Sequence, residues 1–272
     1  MSEFREFFEA NKKMWDIAVG RNLKNQEIYK TKELLQGEVV LNSIELEEIG
    51  DVKGKKLLHL QCHFGLDTLS WARLGAEVTG IDFSSEAIKL AKSLTEKTSL
   101  NAKFIRGNIY DLPDILEEKF DIVYTSYGVL CWLNDINRWA EIVAHFLRPG
   151  GMFYIAEFHP FIQVFDYDNT EDFKLRHNYF FKPEPIVYDE DYSSEEEKKK
   201  SESAKTYEWI HGIGNIITAL INSGLRIQFL HEFNKAPFPR FHFLNQSKDG
   251  YWYYNNPDYE LPLVYSLKAI KE

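Results

Sequence analysis

From residue 56 onward, short apolar runs alternate with longer amphipathic stretches, the pattern of a parallel sheet covered by helices on both faces. It predicts strands at 56–61, 77–81, 102–106, 120–125 and 152–157, with helices at 66–74, 85–97 and 135–146 between them. Gly75 is placed to end the first of these helices and Ser84 to cap the second. Upstream, Phe4, Phe7, Phe8, Ala10, Met14, Trp15 and Ala18 recur at near-helical spacing, so residues 3–19 read as an amphipathic helix. Residues 27–35, stopped by Gly37, and 38–49, before Gly50, read as two more. After Glu157 the alternation fails. Residues 158–208 carry many aromatics, prolines at 160, 183 and 185, and the charged tract 189–200, which reads as a solvated loop. Regular structure resumes with a helix at 213–223, ended by Gly224, then strands at 225–233 and 263–270. Two last strands without a crossover helix imply an antiparallel ending.

The first βαβ unit carries the chemistry. Lys56-Leu-Leu-His-Leu-Gln-Cys-His-Phe-Gly65 is a buried strand running into a tight turn, and Val78-Thr-Gly-Ile-Asp82 is a second strand ending in a carboxylate. A turn at that place presents backbone groups to a ligand, and the acid accepts hydrogen bonds from a ribose diol. Only Gly65 remains of the three glycines of a dinucleotide cradle, which argues against NAD.

These pieces resemble class I S-adenosylmethionine-dependent methyltransferases, most closely a bacterial branch acting on small molecules. The resemblance rests on five ordered segments: His59–Thr68 with Ser70–Ala76, Gly80–Ser84, Gly107–Pro113, Phe120–Gly128 and Leu147–Gly151. It covers residues 51–160 well and the rest loosely. It implies a Rossmann-like α/β fold with a mostly parallel seven-stranded sheet in the order 3-2-1-4-5-7-6 and a C-terminal antiparallel hairpin. It also implies S-adenosyl-L-methionine as cofactor, residues 1–50 as a helical lid, and residues 51–272 as the methyltransferase domain with a cap inserted at about 158–208. In the cofactor site so implied, Asp82 takes the ribose, Phe83 and Ser84 flank the adenine, and Asn108 and Ile109 frame its other side. Ser126 and Tyr127 end the fourth strand at the cofactor's edge. His59 stands where relatives often have an acid, and Gln61 and His63 stand where they have glycine. Either this turn sits further from the ligand or Gln61 and His63 touch it themselves; the expectation is main-chain contact at Gln61, Cys62 and Gly65, with His63 beside it.

Tyr127 and Trp132 are candidates for the transfer cavity, because aromatic faces attract a sulfonium. His159 and His211 are the candidate catalytic bases, with Glu157 beside them at the end of the fifth strand. Methyl transfer also proceeds on positioning alone, so a base is not required. A non-catalytic cofactor binder or interaction protein, or an NAD(P)-dependent oxidoreductase, are the alternatives to an enzyme that methylates an O, N or S nucleophile of a small molecule.

Composition narrows the partners. The formal charge is −10 with a pI near 5.4 and no basic stripe, so nucleic acid is a poor substrate. Cys62 and Cys131 lie in apolar runs without metal-ligand spacing and read as buried thiols of a reducing compartment; no metal is expected. The N-terminus lacks the pattern of a signal peptide and no apolar run spans a bilayer, so the expectation is a soluble, cytoplasmic chain without membrane partners.

Overall fold

The computed structural model describes residues 4–25, 29–190 and 204–272. Helix α1 (Arg5–Lys24) leads to two short helices, α2 (Thr31–Leu35) and α3 (Ser43–Ile49). Next come β1 (Lys56–Leu60), α4 (Leu66–Arg73), β2 (Glu77–Asp82), α5 (Ser85–Thr98) and β3 (Ala102–Arg106). The order continues with α6 (Leu112–Ile115), β4 (Phe120–Ser126), α7 (Ile136–Phe146), β5 (Leu147–Phe158), β6 (Ile186–Glu190) and β7 (Ala204–Glu208). It closes with α8 (Ile213–Asn222), β8 (Leu225–Phe233), β9 (Lys235–Ala236), β10 (Asn245–Gln246), β11 (Trp252–Tyr253) and β12 (Val264–Lys271).

Seven strands form the main sheet in the order β3-β2-β1-β4-β5-β12-β8. Counted within that sheet this is 3-2-1-4-5-7-6, as the resemblance implies. Strands β1 to β5 pair in parallel, and β12 runs antiparallel to both β5 and β8. Strand β1 has four buried residues in five because helices cover both faces, which is why it reads as a continuous apolar run. Helix α5 begins where the Ser84 hydroxyl accepts from the Ala87 N–H at 3.1 Å, and it buries Ala87, Ile88, Ala91 and Leu94 on one face. Helix α7 buries Trp139 and Phe146 into the core that contains Leu58, Val123 and Phe153.

Where structure and sequence pattern differ, long-range contacts decide. Residues 38–42 do not continue helically into α3: the Val40 N–H bonds the Ser70 Oγ at 3.1 Å, and Asn42 is extended. Strand β5 starts five residues before the apolar run, because Leu147 pairs with Phe120 across an irregularity in the ladder. The region after β5 is more ordered than its composition indicates. Strands β6 and β7 form a hairpin registered Ile186↔Glu208 to Glu190↔Ala204, and most of the charged tract 189–200 lies outside the described residues.

The cap is built from two insertions rather than one. Phe158, Ile162, Val164 and Phe165, after β5, pack with Ala236, Phe241, Leu244 and Leu263 from the excursion between β8 and β12. That excursion carries its own three-stranded sheet, β10-β11-β9. At the other end, α1 lies against β7. Asn11, fully buried, donates to the Tyr207 carbonyl and accepts from the Tyr207 N–H, both at 2.8 Å. The Asp16 carboxylate reaches the start of α5, accepting from the Ser84 hydroxyl (2.6 Å), the Ser85 hydroxyl (3.2 Å) and the Glu86 N–H (3.1 Å). An acid there favours the positive end of α5's dipole.

Candidate cofactor and acceptor site

The turn after β1 holds two of the three non-glycine residues in the left-handed region among the described residues. Gln61 has φ 55°, His63 φ 50° and Gly65 φ 78°. All three positions are left-handed, yet only the third is glycine, and such a conformation costs a side-chain-bearing residue roughly 1–2 kcal/mol. The glycine pattern of the fold is therefore kept in backbone shape while two of its residues are replaced.

The turn's own hydrogen bonds consume most of its N–H groups. Cys62 donates to the Ile81 carbonyl (2.9 Å), Gly65 to the Cys62 carbonyl (2.9 Å), and His63 to Asp82 Oδ2 (2.8 Å). The N–H groups of Cys62 and Gly65 are thus used inside the fold, which leaves their contact with a ligand to other main-chain atoms. What faces outward instead is the Gln61 side chain. Its amide N–H donates to the Val129 carbonyl at 3.0 Å, while its oxygen is buried without a partner among the described residues. An orphan acceptor of this kind costs about 1–3 kcal/mol until a donor arrives.

Asp82 binds the turn and caps its own exit: Oδ2 accepts from His63 and Oδ1 from the Ser84 N–H at 2.9 Å. Each oxygen keeps a second acceptor direction. Burial raises its pKa to about 6 against the pull of those N–H groups. His63 is boxed by Trp15, Tyr29 and Phe64, with ring centroids 5.2, 5.5 and 4.2 Å away. Desolvation holds both His63 and His59 down at about 3, so both imidazoles are neutral.

Asp67, in the first turn of α4, carries no signal of its own in the sequence. Its Oδ2 accepts from the Ser126 hydroxyl at 2.9 Å, and that hydroxyl lies 3.5 Å from His59 Nε2. Asp67 thus brings a carboxylate from a helix to the end of β4, beside His59. Behind it lies Glu45, fully buried, accepting from the Tyr127 hydroxyl (3.1 Å) and the Asn42 amide (3.2 Å). Burial first, and then the charge of Asp67, raises Glu45 to about 8.

One continuous cavity of about 1270 Å³ joins these groups. Gln61, Cys62, His63, Gly65, Asp67, Asp82, Phe83, Asn108, Ile109, Ser126, Tyr127 and Trp132 all line it. It then extends under the cap to Phe158, Tyr167, Glu208, Phe238 and Arg240, while α1 closes it with Met14, Trp15 and Ala18. A single small-molecule site occupies roughly 300–1,000 Å³, so this space exceeds what one small ligand needs. Asn108 accepts from the Tyr110 N–H at 3.0 Å through its amide oxygen.

Three residues stand apart from the cavity. Ser84 is fully buried and caps α5. His159 accepts from the Phe161 N–H at 3.1 Å, and its Nε2 lies 2.9 Å from Glu232 on the outer side of the sheet. His211 pairs through Nε2 with the Leu133 carbonyl at 2.6 Å and stacks on Phe181. Neither candidate base lines the cavity, since His159 is turned to the Phe161 N–H and Glu232, and His211 to the Leu133 carbonyl. Glu157 is buried and accepts from the N–H groups of Gly128, Val129, Leu130 and Phe158, so it shapes the loop carrying Trp132 instead of facing a ligand.

Comparison with known proteins agrees with this geometry. Residues 58–155 match the family model described as "Methyltransferase domain". A ubiquinone biosynthesis O-methyltransferase of Xanthomonas oryzae is 30% identical over 119 residues, 43% of this chain and 49% of the relative. The chain thus spans about half the length of the curated relatives it matches. An S-adenosylmethionine-dependent methyltransferase structure from Mesorhizobium loti superposes with TM-score 0.58 at 18% identity, covering 87% of this chain and all of that one. Another from Clostridium acetobutylicum gives 0.53 at 13% identity over 97% and 98% of the two chains. The structural likenesses show the fold. No helix among the described residues is long and apolar enough to cross a membrane.

Proposed function

We propose that this chain, which carries a class I S-adenosylmethionine-dependent methyltransferase domain, methylates an O, N or S nucleophile of a small molecule held between its nucleotide-binding turn and its aromatic cap. The observation that carries the reading is the single cavity running from turn 61–65 and Asp82 to the cap, large enough for cofactor and acceptor together. S-adenosylmethionine, when bound, supplies an electrophilic methyl group on a sulfonium.

The chain's own groups fit that cofactor. The Gln61 oxygen is an unpaired acceptor for an ammonium, with the Asp67 carboxylate on the same cavity wall. Asp82 has acceptor capacity left for a diol, and Phe83, Asn108 and Ile109 line the adjoining wall. Tyr127 and Trp132 are held in fixed orientations, the first by Glu45 and the second by an indole N–H bond to the Gly128 carbonyl at 2.7 Å. Fixed aromatic walls exclude water and hold an acceptor in line, and in-line positioning is the main requirement of methyl transfer. We assign no general base: of the histidines on the cavity wall, His63 is enclosed by aromatic rings and His59 is held between the Thr68 hydroxyl (2.8 Å) and the Ser126 hydroxyl (3.5 Å), and burial keeps both neutral. The lid assigned to residues 1–50 belongs to this reading through α1, whose inner face closes the cavity.

Calorimetry tests the proposal. Purified protein should bind S-adenosylmethionine and S-adenosylhomocysteine in the micromolar range, about −8 kcal/mol, and should not bind NAD. Asp82→Ala should weaken binding by about 2–3 kcal/mol, because both the turn and the diol acceptor are lost. Binding of NAD in preference to S-adenosylhomocysteine would overturn the reading. Binding without turnover across a panel of thiols, phenols and amines would favour the non-catalytic alternative.

A further inference from the structure

The cap half of the cavity contains an arginine whose charge is not matched by a close carboxylate. Arg240 lies in the excursion between β8 and β12, is exposed by its accessible surface, and lines the cavity. Its guanidinium carbon sits 4.0 Å from the Tyr167 ring centroid and 5.6 Å from that of Phe158. Desolvation opposes its charge, while the Tyr167 phenol beside it and the more distant Glu208 carboxylate favour it.

Other charges on this wall are engaged. Arg176 pairs with Asp166 at 2.7 Å and Asp168 at 3.1 Å, and Asp249 accepts from the Tyr253 hydroxyl at 2.7 Å. Glu208 has interactions of its own as well. A guanidinium held over an aromatic ring has its charge and part of one face engaged by that contact, which leaves its rigid fork of N–H donors for a ligand in the same cavity. A guanidinium carries five such donors, more than one phenol can satisfy, and two of them match a planar carboxylate bidentately.

The fork is one aromatic layer from the end of β4. Tyr127 lies 6.0 Å from Phe158 and 5.6 Å from Phe238, and Phe158 is also the ring beside Arg240. We infer that the acceptor is an aromatic or otherwise apolar carboxylate, its acid held by Arg240 and its body lying against Phe158 and Phe238, so that its nucleophile reaches the Tyr127 end of the cavity. This inference rests on the methyltransferase reading for the nucleophile but not for the anion site.

The experiment keeps the two apart. Benzoate, phenylacetate and 3-phenylpropanoate, each paired with its carboxamide, are titrated into wild-type protein and Arg240→Met, with and without saturating S-adenosylhomocysteine. At least one acid should bind the wild type about ten times or more tighter than its amide. Arg240→Met should erase that preference while leaving amide affinity within about twofold and S-adenosylhomocysteine affinity within about threefold. Arg240→Lys keeps the charge without the planar fork and should fall between. Equal affinity of acids and amides for the wild type, or an acid preference that survives Arg240→Met, overturns the carboxylate site. Failure of S-adenosylhomocysteine to bind overturns the methyltransferase reading alone, because the acid–amide comparison on unliganded protein still decides the anion site.

Discussion

Gln61 shows how one residue can both strain and equip a site. Glycine at φ 55° would relieve roughly 1–2 kcal/mol of left-handed cost, but it would also remove the amide bond to the Val129 carbonyl, worth about 1 kcal/mol. The substitution would also remove the orphan oxygen, but it would leave the Val129 carbonyl unpaired, at about 1–3 kcal/mol, and cost about 0.5–1 kcal/mol in glycine backbone entropy, so the opposing effects nearly cancel. Gln61→Gly should therefore leave the unfolding free energy within about 1 kcal/mol of the wild type, as measured by denaturant titration. Cofactor affinity should fall about tenfold, since the orphan oxygen goes with the side chain. Unchanged affinity would mean that the oxygen faces no ligand. The same residue marks a limit of sequence reading. That positions 61, 63 and 65 share one backbone shape is hidden when two of the three are not glycine.

At the scale of elements, α1 is tied down by a few polar interactions. Asn11 satisfies both backbone groups of Tyr207, and Asp16 caps α5 from outside. Asn11→Ala would leave the Tyr207 N–H and carbonyl unpaired beneath α1, at about 1–3 kcal/mol each. Hydrogen exchange should accelerate along residues 5–24 and at β7, while β1 and β4 keep their protection, because the two severed hydrogen bonds tie only these elements together. Cofactor affinity should drop in parallel, since Met14, Trp15 and Ala18 close the cavity. A uniform loss of protection across the sheet would show instead that α1 is part of the global folding unit. The amphipathic pattern of α1 is legible from its apolar spacing. Its docking partner is not, because Tyr207 lies at the end of a stretch that reads as loop.

For the molecule as a whole, the buried acids set the response to pH. Glu45 is raised from an ordinary 4.5 to about 8, so its folded form holds a proton that its unfolded form releases. Its contribution to stability is fully present below about pH 4.5 and is lost as pH rises through about 8. Asp67 and Glu157 are raised by burial as well and act in the same direction. The neutral histidines act oppositely. With His59 and His63 lowered to about 3, their contribution is present above about 6.5 and lost as pH falls toward 3. Glu45→Gln removes one of these titrating acids while keeping its shape. Between pH 5 and pH 8 the variant's unfolding free energy should decline by about 3 kcal/mol less than that of the wild type. Chemical unfolding at the two pH values measures this directly, and identical pH dependence in the two proteins would place the proton elsewhere.

By itself the sequence determined the parallel α/β half of this protein. The strands from 56 to 157, the helices between them and the acid at 82 follow from local rules: period, capping and the apolar runs of doubly covered strands. Tertiary structure alone decided the cap. The cap is assembled from segments around residues 158–190, 204–210 and 234–263, whose aromatics pack on one another without helical or strand periodicity. It likewise decided which polar side chains face the cavity. His159 and His211 sit near the right strand and helix, yet bonds to main chain and to Glu232 turn them away, while Asp67 and Arg240 line the cavity and Glu45 holds the Tyr127 hydroxyl from behind its wall. Such placement depends on which hydrogen bonds and ring contacts close across the fold, and those are made between residues whose separation along the chain carries no local signal.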